Sequence, residues 1–323
     1  MGSRAVLLLC TAAFAQQQVV TFRSDFDSSD QPYALYLPKD LDRSRTYPLI
    51  VDLHMEEMTH VQALRQVLIH RPNPDFIVAC PVARGSMGYR GVAEKDVYDM
   101  LADVKRRYPV DDDRVYLTGA SSGGGGALWL GLTRPDVWAA LSPICAEAPP
   151  GAEDFAGNAL NVPILLFHGE QDPVVPAQLS RQWQKRFLQL GVKAEYVEYP
   201  LLRHNAWDKA YRDGGLFEWF AKSKRERFPD RVRFSSNAYK YNSAYWVHLD
   251  RLTPGTMASI EAHTRANRVE VTTKNLDGFT LKLAKAPVEV AIEGTVLRPK
   301  GRQTISFIRG PHGWMPGSRL RMT

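Results

Sequence analysis

The sequence predicts an α/β protein: a doubly wound, mostly parallel sheet up to about residue 228, then a C-terminal all-β, sandwich-like module. Two observations carry the first part. Short apolar runs alternate with longer segments at helical spacing, and those runs are apolar throughout, as strands are when helices cover both faces of a parallel sheet. A third carries the second part: past residue 228 the helical spacing gives way to closely spaced short strands that alternate apolar and polar residues.

The chain has 323 residues, 44% apolar and 24% charged, an ordinary globular balance that excludes disorder. Forty-one basic against 35 acidic residues give a net charge of +6, a mildly basic surface with no nucleic-acid motif beside it. At the start, Arg4 precedes the apolar run 5–10 and then Ala13-Phe14-Ala15. This describes a secretory signal peptide over residues 1–15, hence a secreted or periplasmic protein. Leu9 fits poorly with a lipoprotein site at Cys10. The run is too short to span a bilayer, and no other stretch approaches the length a membrane helix needs, so no stable membrane insertion is expected.

In residues 16–228, strands are expected at Ala34-Leu35-Tyr36-Leu37, Leu49-Ile50-Val51-Asp52-Leu53, Phe76-Ile77-Val78-Ala79-Cys80, Val115-Tyr116-Leu117-Thr118, Ala139-Ala140-Leu141-Ser142, Ile164-Leu165-Leu166-Phe167 and 194–199. Val97, Met100, Leu101, Val104 and Tyr108 recur at helical spacing. Glu94 and Asp96 stand in that helix's first turn and Lys105, Arg106 and Arg107 in its last, which suits the helix dipole. Leu179, Trp183, Phe187 and Leu190 repeat the pattern, and Gly191 ends it. A last helix is expected near 216–220. Cys80 and Cys145 follow strands that should not be neighbours, so two buried free thiols are expected.

The module, residues 229–323, follows the charged run 222–227. Strands are expected at 245–249, 258–262, 269–273, 280–283, 288–292 and 304–308, while residues 318–323 carry no element signal. Tyr239, Tyr241, Tyr245 and Trp246 fall close together, and burial against a neighbour is favoured over a carbohydrate-stacking face.

The chemistry centres on Gly119-Ala120-Ser121-Ser122-Gly123, a G-x-S-x-G set between an apolar strand and a helix-like segment. A serine on so sharp a turn stands above the sheet, and small residues two before and two after let strand and helix approach. The N–H of Ser122, at the helix start, is placed to stabilise an oxyanion. Ser122 is the second choice of nucleophile, because alanine stands two before it. A serine hydroxyl needs a base. His168-Gly169-Glu170-Gln171-Asp172 follows one later strand and Pro200-Leu201-Leu202-Arg203-His204 the next, giving the order serine, acid, histidine. The expected triad is Ser121, Asp172 and His204, with Glu170 as the fallback acid. The second oxyanion donor is expected after the early strand, from the N–H of Met55 or Glu56, with the glutamates turned away. His54, His60, Glu56 and Glu57 do not make H-E-x-x-H, and neither metal nor cofactor is expected. Tyr89 and Trp207 are candidates to line a substrate pocket.

Leu53-His54, the G-x-S-x-G segment, the His168 to Asp172 run and His204 with Trp207 resemble the esterase branch of the α/β-hydrolase superfamily. The pattern is similar to polyhydroxybutyrate depolymerase-like and feruloyl or acetyl xylan esterase-like enzymes. Arg84-Gly85-Ser86-Met87-Gly88-Tyr89 with Glu94-Lys95-Asp96-Val97 is similar to prolyl oligopeptidase-like hydrolases. The resemblance covers roughly residues 30 to 225. It implies an α/β-hydrolase fold and a carboxylic ester hydrolase acting on small-molecule or on polysaccharide- or polyester-borne esters. Met55 and Glu56 depart from the H-G-G or H-G-x of those relatives. The alternatives are a prolyl oligopeptidase-like serine peptidase and a non-catalytic binding protein. The sequence leaves oligomeric state open.

Overall fold

A computed structural model describes residues 17–72, 74–213 and 215–317. The expected signal segment with Cys10, and residues 318–323, lie outside them. The chain runs β1 (Gln17–Arg23), β2 (Asp30–Tyr36), β3 (Tyr47–Leu53), α1 (His60–His70), β4 (Ile77–Pro81), α2 (Val92–Arg107), β5 (Val110–Ala120), α3 (Ser122–Thr133), β6 (Ala140–Ile144), β7 (Ile164–Gly169), α4 (Gln178–Gln189), β8 (Ala194–Tyr199), α5 (Ala206–Arg212) and α6 (Leu216–Ala221). These strands form one eight-stranded sheet, β1-β2-β4-β3-β5-β6-β7-β8. It is antiparallel at β1, β2 and β4 and parallel from there on.

Strand residues alternate between two cores. Leu49 and Val51 of β3 pack with Met100 of α2, Leu128 of α3 and Phe187 of α4. Ile50 faces Leu64 of α1, Ala210 of α5 and Phe220 of α6. This double cover is why the strands read as continuous apolar runs. Sequence patterning missed β1, a mostly exposed edge strand, and the helices α1 and α5. Yet α1 carries a local signal, a capping box in which Thr59 and Gln62 satisfy each other's backbone N–H groups. Among the described residues, no helix is long and apolar enough to cross a membrane. Cys80 and Cys145 are buried and free; Cys80 lies in β4 and Cys145 follows β6, and β3 and β5 separate these two strands.

Beyond residue 230 lie β9 (Arg231–Ser236), β10 (Ser243–Ala244), β11 (Val247–Leu252), β12 (Ala258–Arg265), β13 (Arg268–Lys274), β14 (Leu276–Lys282), β15 (Glu289–Ile292), β16 (Thr295–Leu297), β17 (Thr304–Gly310) and β18 (Gly313–Gly317). They make two five-stranded sheets, β10-β11-β14-β17-β18 and β16-β15-β13-β12-β9. Phe234, Ile260 and Val271 of one share a core with Leu249, Phe279 and Phe307 of the other. This is a β-sandwich.

The sandwich is seated on the α/β layer by polar groups. Asn158 donates to Leu132 O (2.9 Å) and Ser235 O (3.0 Å), and accepts from Ser235 N–H (2.7 Å). Glu94 and Asp96, expected as first-turn charges on α2, are both buried. Asp96 pairs with Arg84, which anchors the β1–β2 end of the chain. Glu94 Oε2 accepts from Lys240 Nζ and Tyr241 Oη, each at 2.7 Å. The ring of Tyr241 meets Trp129 and Phe155 edge-on. A chain ending near residue 228 therefore leaves Glu94 buried without its cation and uncovers two aromatic rings. It is expected to aggregate, as gel filtration would show. A monodisperse, folded product would contradict this.

Candidate active site

β5 ends at Ala120 and α3 begins at Ser122, leaving Ser121 alone on the turn with φ +54° and ψ −120°. A side-chain-bearing residue there is strained, and the packing around it holds the strain. A Cβ on Gly119 would stand 2.6 Å from Gly123 O, and one on Gly123 would stand 2.1 Å from Leu53 O. Strand β5, helix α3 and the end of β3 thus meet at a contact that only glycines permit. Ser121 N–H donates to Ile144 O (2.9 Å), and Ser121 O accepts from Gly125 N–H (3.0 Å) and Glu147 N–H (3.3 Å). Ser122 opens α3, so its N–H has no partner within the helix.

Asp172 and His204, the candidate acid and base, sit on adjacent loops. β7 ends at Gly169, where a Cβ would stand 2.2 Å from Arg203 O. Gln171 N–H donates to Leu202 O at 3.0 Å, which clamps the two loops together. Asp172 Oδ1 accepts from Val174 and Val175 N–H, both at 2.9 Å. Asp172 Oδ2 lies 2.6 Å from His204 Nδ1. Burial alone would raise the Asp172 pKa, but the His204 bond and the Val175 and Val174 amides together hold it below the usual range. A carboxylate at Nδ1 places the imidazole proton there and leaves Nε2 as an acceptor. Glu170, the fallback acid, is exposed, and its backbone N–H goes to Tyr199 O.

His168 was expected to be structural. It is fully buried, with Nδ1 2.7 Å from Ser180 Oγ, and Nε2 2.8 Å from Val175 O and 3.2 Å from Asp172 Oδ2. Burial lowers its pKa, so the ring is neutral. It braces the acid loop.

The β3–α1 loop carries Met55, half-buried, and Glu56, exposed with Glu57. The ring of His54 fixes it, with Nδ1 2.8 Å from Met55 O and Nε2 3.0 Å from Val82 O. Tyr89 takes a different place from the one its sequence setting suggested. It is 2% exposed, donates to His54 O at 2.7 Å, and its ring lies where a Cβ on Gly126 would fall. It braces the β3–α1 loop and is buried rather than open to solvent. Trp207 is half-buried, edge-on to His204 with ring centroids 5.5 Å apart. Sequence reasoning missed a groove of about 750 Å³ lined by Glu147, Pro149 and, from α4, Leu179 and Trp183. None of Ser121, Asp172 and His204 lines it; its link to them is Glu147, whose N–H reaches Ser121 O. The only trace of it in the sequence is that Leu179 and Trp183 lie on a helix face that leaves Leu179 exposed.

Asp52, near the end of β3, is buried and accepts from Tyr211 Oη at 2.9 Å. Burial pushes its carboxyl up to about 7. The folded state therefore holds a proton that the unfolded chain has already released, and stability falls as pH rises from about 4 to about 7. The slope from this group is at most about 1.4 kcal/mol per pH unit. Asp52→Asn should remove that slope, so denaturant midpoints of the two proteins should diverge more at pH 8 than at pH 5. An equal difference at both pH values would refute the assignment.

Cys145, Asp172 and His204 have donor atoms within 4.8 Å of one another, a spacing an ion could bridge. Burial raises the Cys145 pKa, which disfavours the thiolate, and Asp172 and His204 are bonded to each other.

Residues 93–213 match the model of a family described as phospholipase/carboxylesterase. Over 103 residues the chain is 30% identical to acyl-protein thioesterase 1 from Gibberella zeae. The match spans 29% of this chain and 42% of that relative, so it covers less than half the relative's length. Among solved structures, a thermostable esterase superposes with a TM-score of 0.57 at 24% identity, over 66% of this chain and 64% of that one. A ferulic acid esterase from Anaeromyces mucronatus gives 0.53 at 15% identity, over 64% and 90%. An S-formylglutathione hydrolase from Agrobacterium tumefaciens gives 0.53 at 15% identity, over 64% and 94%. The sheet and its helices have the α/β-hydrolase fold, and the two C-terminal sheets are an addition to it.

Proposed function

We propose that this chain is a serine carboxylic ester hydrolase in which Ser121 attacks the ester, His204 takes its proton and Asp172 orients His204. The observation that carries the reading is the 2.6 Å Asp172–His204 bond, together with a serine held at positive φ at the end of β5. In the first half-reaction Ser121 Oγ bonds to the ester carbonyl carbon, and its proton passes to His204 Nε2. The carbonyl electrons move onto oxygen, facing the N–H of Ser122 and that of Met55 or Glu56. Collapse expels the alcohol, which takes the proton from Nε2 and leaves an acyl-Ser121. Water, deprotonated by the same nitrogen, then releases the acid and restores the serine.

The substrates proposed are esters with a bulky or polymer-borne part, such as feruloyl or acetyl esters on a polysaccharide, for which the groove between Glu147 and α4 offers space next to the Ser121 turn. The likeness to an acyl-protein thioesterase adds thioesters to the substrates worth testing. The test is a panel of p-nitrophenyl, hydroxycinnamate and thioester substrates, run with a fluorophosphonate probe. Turnover of at least one substrate and labelling confined to Ser121 are expected. An unlabelled, folded protein would overturn the reading.

A further inference from the structure

We propose that one end of the β-sandwich, where three interlocked loops carry lysines and arginines, docks an acidic polysaccharide. Charge and topology define the surface; the choice of a polysaccharide among polyanions rests on the ester-hydrolase reading above. Of the 41 basic and 35 acidic residues of the chain, residues 229–323 hold fifteen and seven. The net positive charge thus belongs to the sandwich, and the α/β part is slightly acidic. Strand register gathers that charge. Arg265 and Arg268 face each other across the β12–β13 turn. β15 runs parallel to β13, with Glu289 beside Arg268, and β16 returns antiparallel, with Leu297 beside Val290. The β16–β17 connection, with Arg298, Lys300 and Arg302, therefore lies at the same end as the β12–β13 turn. In the other sheet Lys282 pairs with Thr304, so the β14–β15 connection, which carries Lys285, meets the start of β17 there. Backbone bonds lock the three loops together. Val288 N–H donates to Asn267 O (2.7 Å), and Leu283 N–H donates to Gln303 O (2.9 Å).

All of these cations are exposed. The carboxylates at this end are Asp230, which Thr264 bonds, Glu270 and Glu289. Glu270 lies 3.9 Å from Arg265 and 3.8 Å from Arg268, and Glu289 lies 2.7 Å from Arg298. Among the described residues, no carboxylate pairs with Lys282, Lys285, Lys300 or Arg302. Uncompensated cations grouped on loops that hold one another attract a polyanion and displace its counterions. Beside them is a cavity of about 420 Å³, lined by Pro299, Lys300, Arg302, Phe307 and Pro316. No aromatic ring is exposed at this end among the described residues. It therefore lacks the stacking platform that binds single-stranded nucleic acid and the aromatic anchor of a membrane-surface segment. An acidic polysaccharide needs neither, because ammonium and guanidinium groups meet its carboxylates directly. A polymer held by the sandwich keeps its esters at a raised local concentration around the α/β layer.

The test measures binding of polygalacturonate, of uncharged arabinoxylan and of phosphatidylglycerol vesicles to the full chain and to its Ser121→Ala variant, in which no hydrolysis intervenes. Polygalacturonate should bind both proteins, and the affinity should fall about tenfold or more between about 50 and 200 mM salt. Arabinoxylan and the vesicles should bind far more weakly. Replacing Lys285, Lys300 and Arg302 together with glutamine should lower the affinity for polygalacturonate about tenfold or more. Melting temperature and kcat/KM on a p-nitrophenyl ester should not change. A second triple variant, with glutamine at the exposed Lys39, Lys193 and Lys222 of the α/β layer, makes the same change in net charge and should bind as the wild type does. Equal losses in the two triple variants would reduce the effect to net charge and overturn the proposal. So would no binding of polygalacturonate at about 50 mM salt, or tighter binding of the vesicles than of the polymer. A protein that binds polygalacturonate but hydrolyses no ester and leaves Ser121 unlabelled would keep the docking surface and overturn the triad reading instead.

Discussion

Replacing Ser121 with alanine is expected to lower kcat by about 10⁴-fold or more, with the melting transition nearly unchanged. The hydroxyl is the only part of the side chain removed. The turn itself depends on Gly119 and Gly123 and on the backbone bonds to Ile144, Gly125 and Glu147, none of which involves Oγ. Alanine also tolerates the +54° φ no worse than serine does. Steady-state kinetics on the best ester of the panel, with a melting curve, would check this. A folded alanine variant that kept its activity would move the assignment to Ser122.

Gly123→Ala is expected to lower kcat by about 10²- to 10³-fold with KM changed only a few-fold. The added Cβ falls 2.1 Å from Leu53 O and 2.8 Å from His54 O. Both are backbone atoms, so either α3 or the β3–α1 loop must move. Either movement separates the N–H of Ser122 from those of Met55 and Glu56, and one misplaced oxyanion donor is worth about that factor. The same displacement costs about 1–3 kcal/mol of stability. Slow fluorophosphonate labelling in a folded protein would mark the loss as one of oxyanion stabilisation. Labelling at the wild-type rate would argue against it.

The parts of this site that can be read from sequence are those held by neighbours in the chain. The elbow announces itself because its glycines must flank the serine within two residues. The order of Ser121, Asp172 and His204 follows from strands whose apolar runs mark their ends. What escaped depends on residues distant in sequence. Tyr89 was a candidate pocket aromatic, yet it is buried against Gly126 and the His54 carbonyl, 37 and 35 positions away. Glu94 looked like a helix-start charge because Lys240 and Tyr241, which bury it, lie 146 and 147 positions away. Cys145 was expected as an unpaired thiol, which it is. That its sulfur comes within 4.8 Å of Asp172 and His204 follows only once β6 and β7 lie side by side. In the module, most strands with apolar–polar alternation were readable, but β9, with Val232 and Phe234 alternating with polar residues, was missed. β16, three residues long and mostly exposed, had no core face to pattern it.

The glycine run at the start of α3 has a consequence for how the molecule acquires activity over time. Four glycines in succession, Gly123 to Gly126, make this first turn about 4 kcal/mol less favourable than an alanine turn would be, so it cannot form on its own. It becomes helical only when β3, the β6 loop and Tyr89 are already in place to fill the space its missing side chains leave. Substitutions in this turn should therefore leave the folding rate almost unchanged and speed unfolding, with φ-values near zero. During refolding from denaturant, hydrolysis of ester should return after the far-ultraviolet signal of the sheet and the outer helices, because the nucleophile reaches its working geometry in the last step.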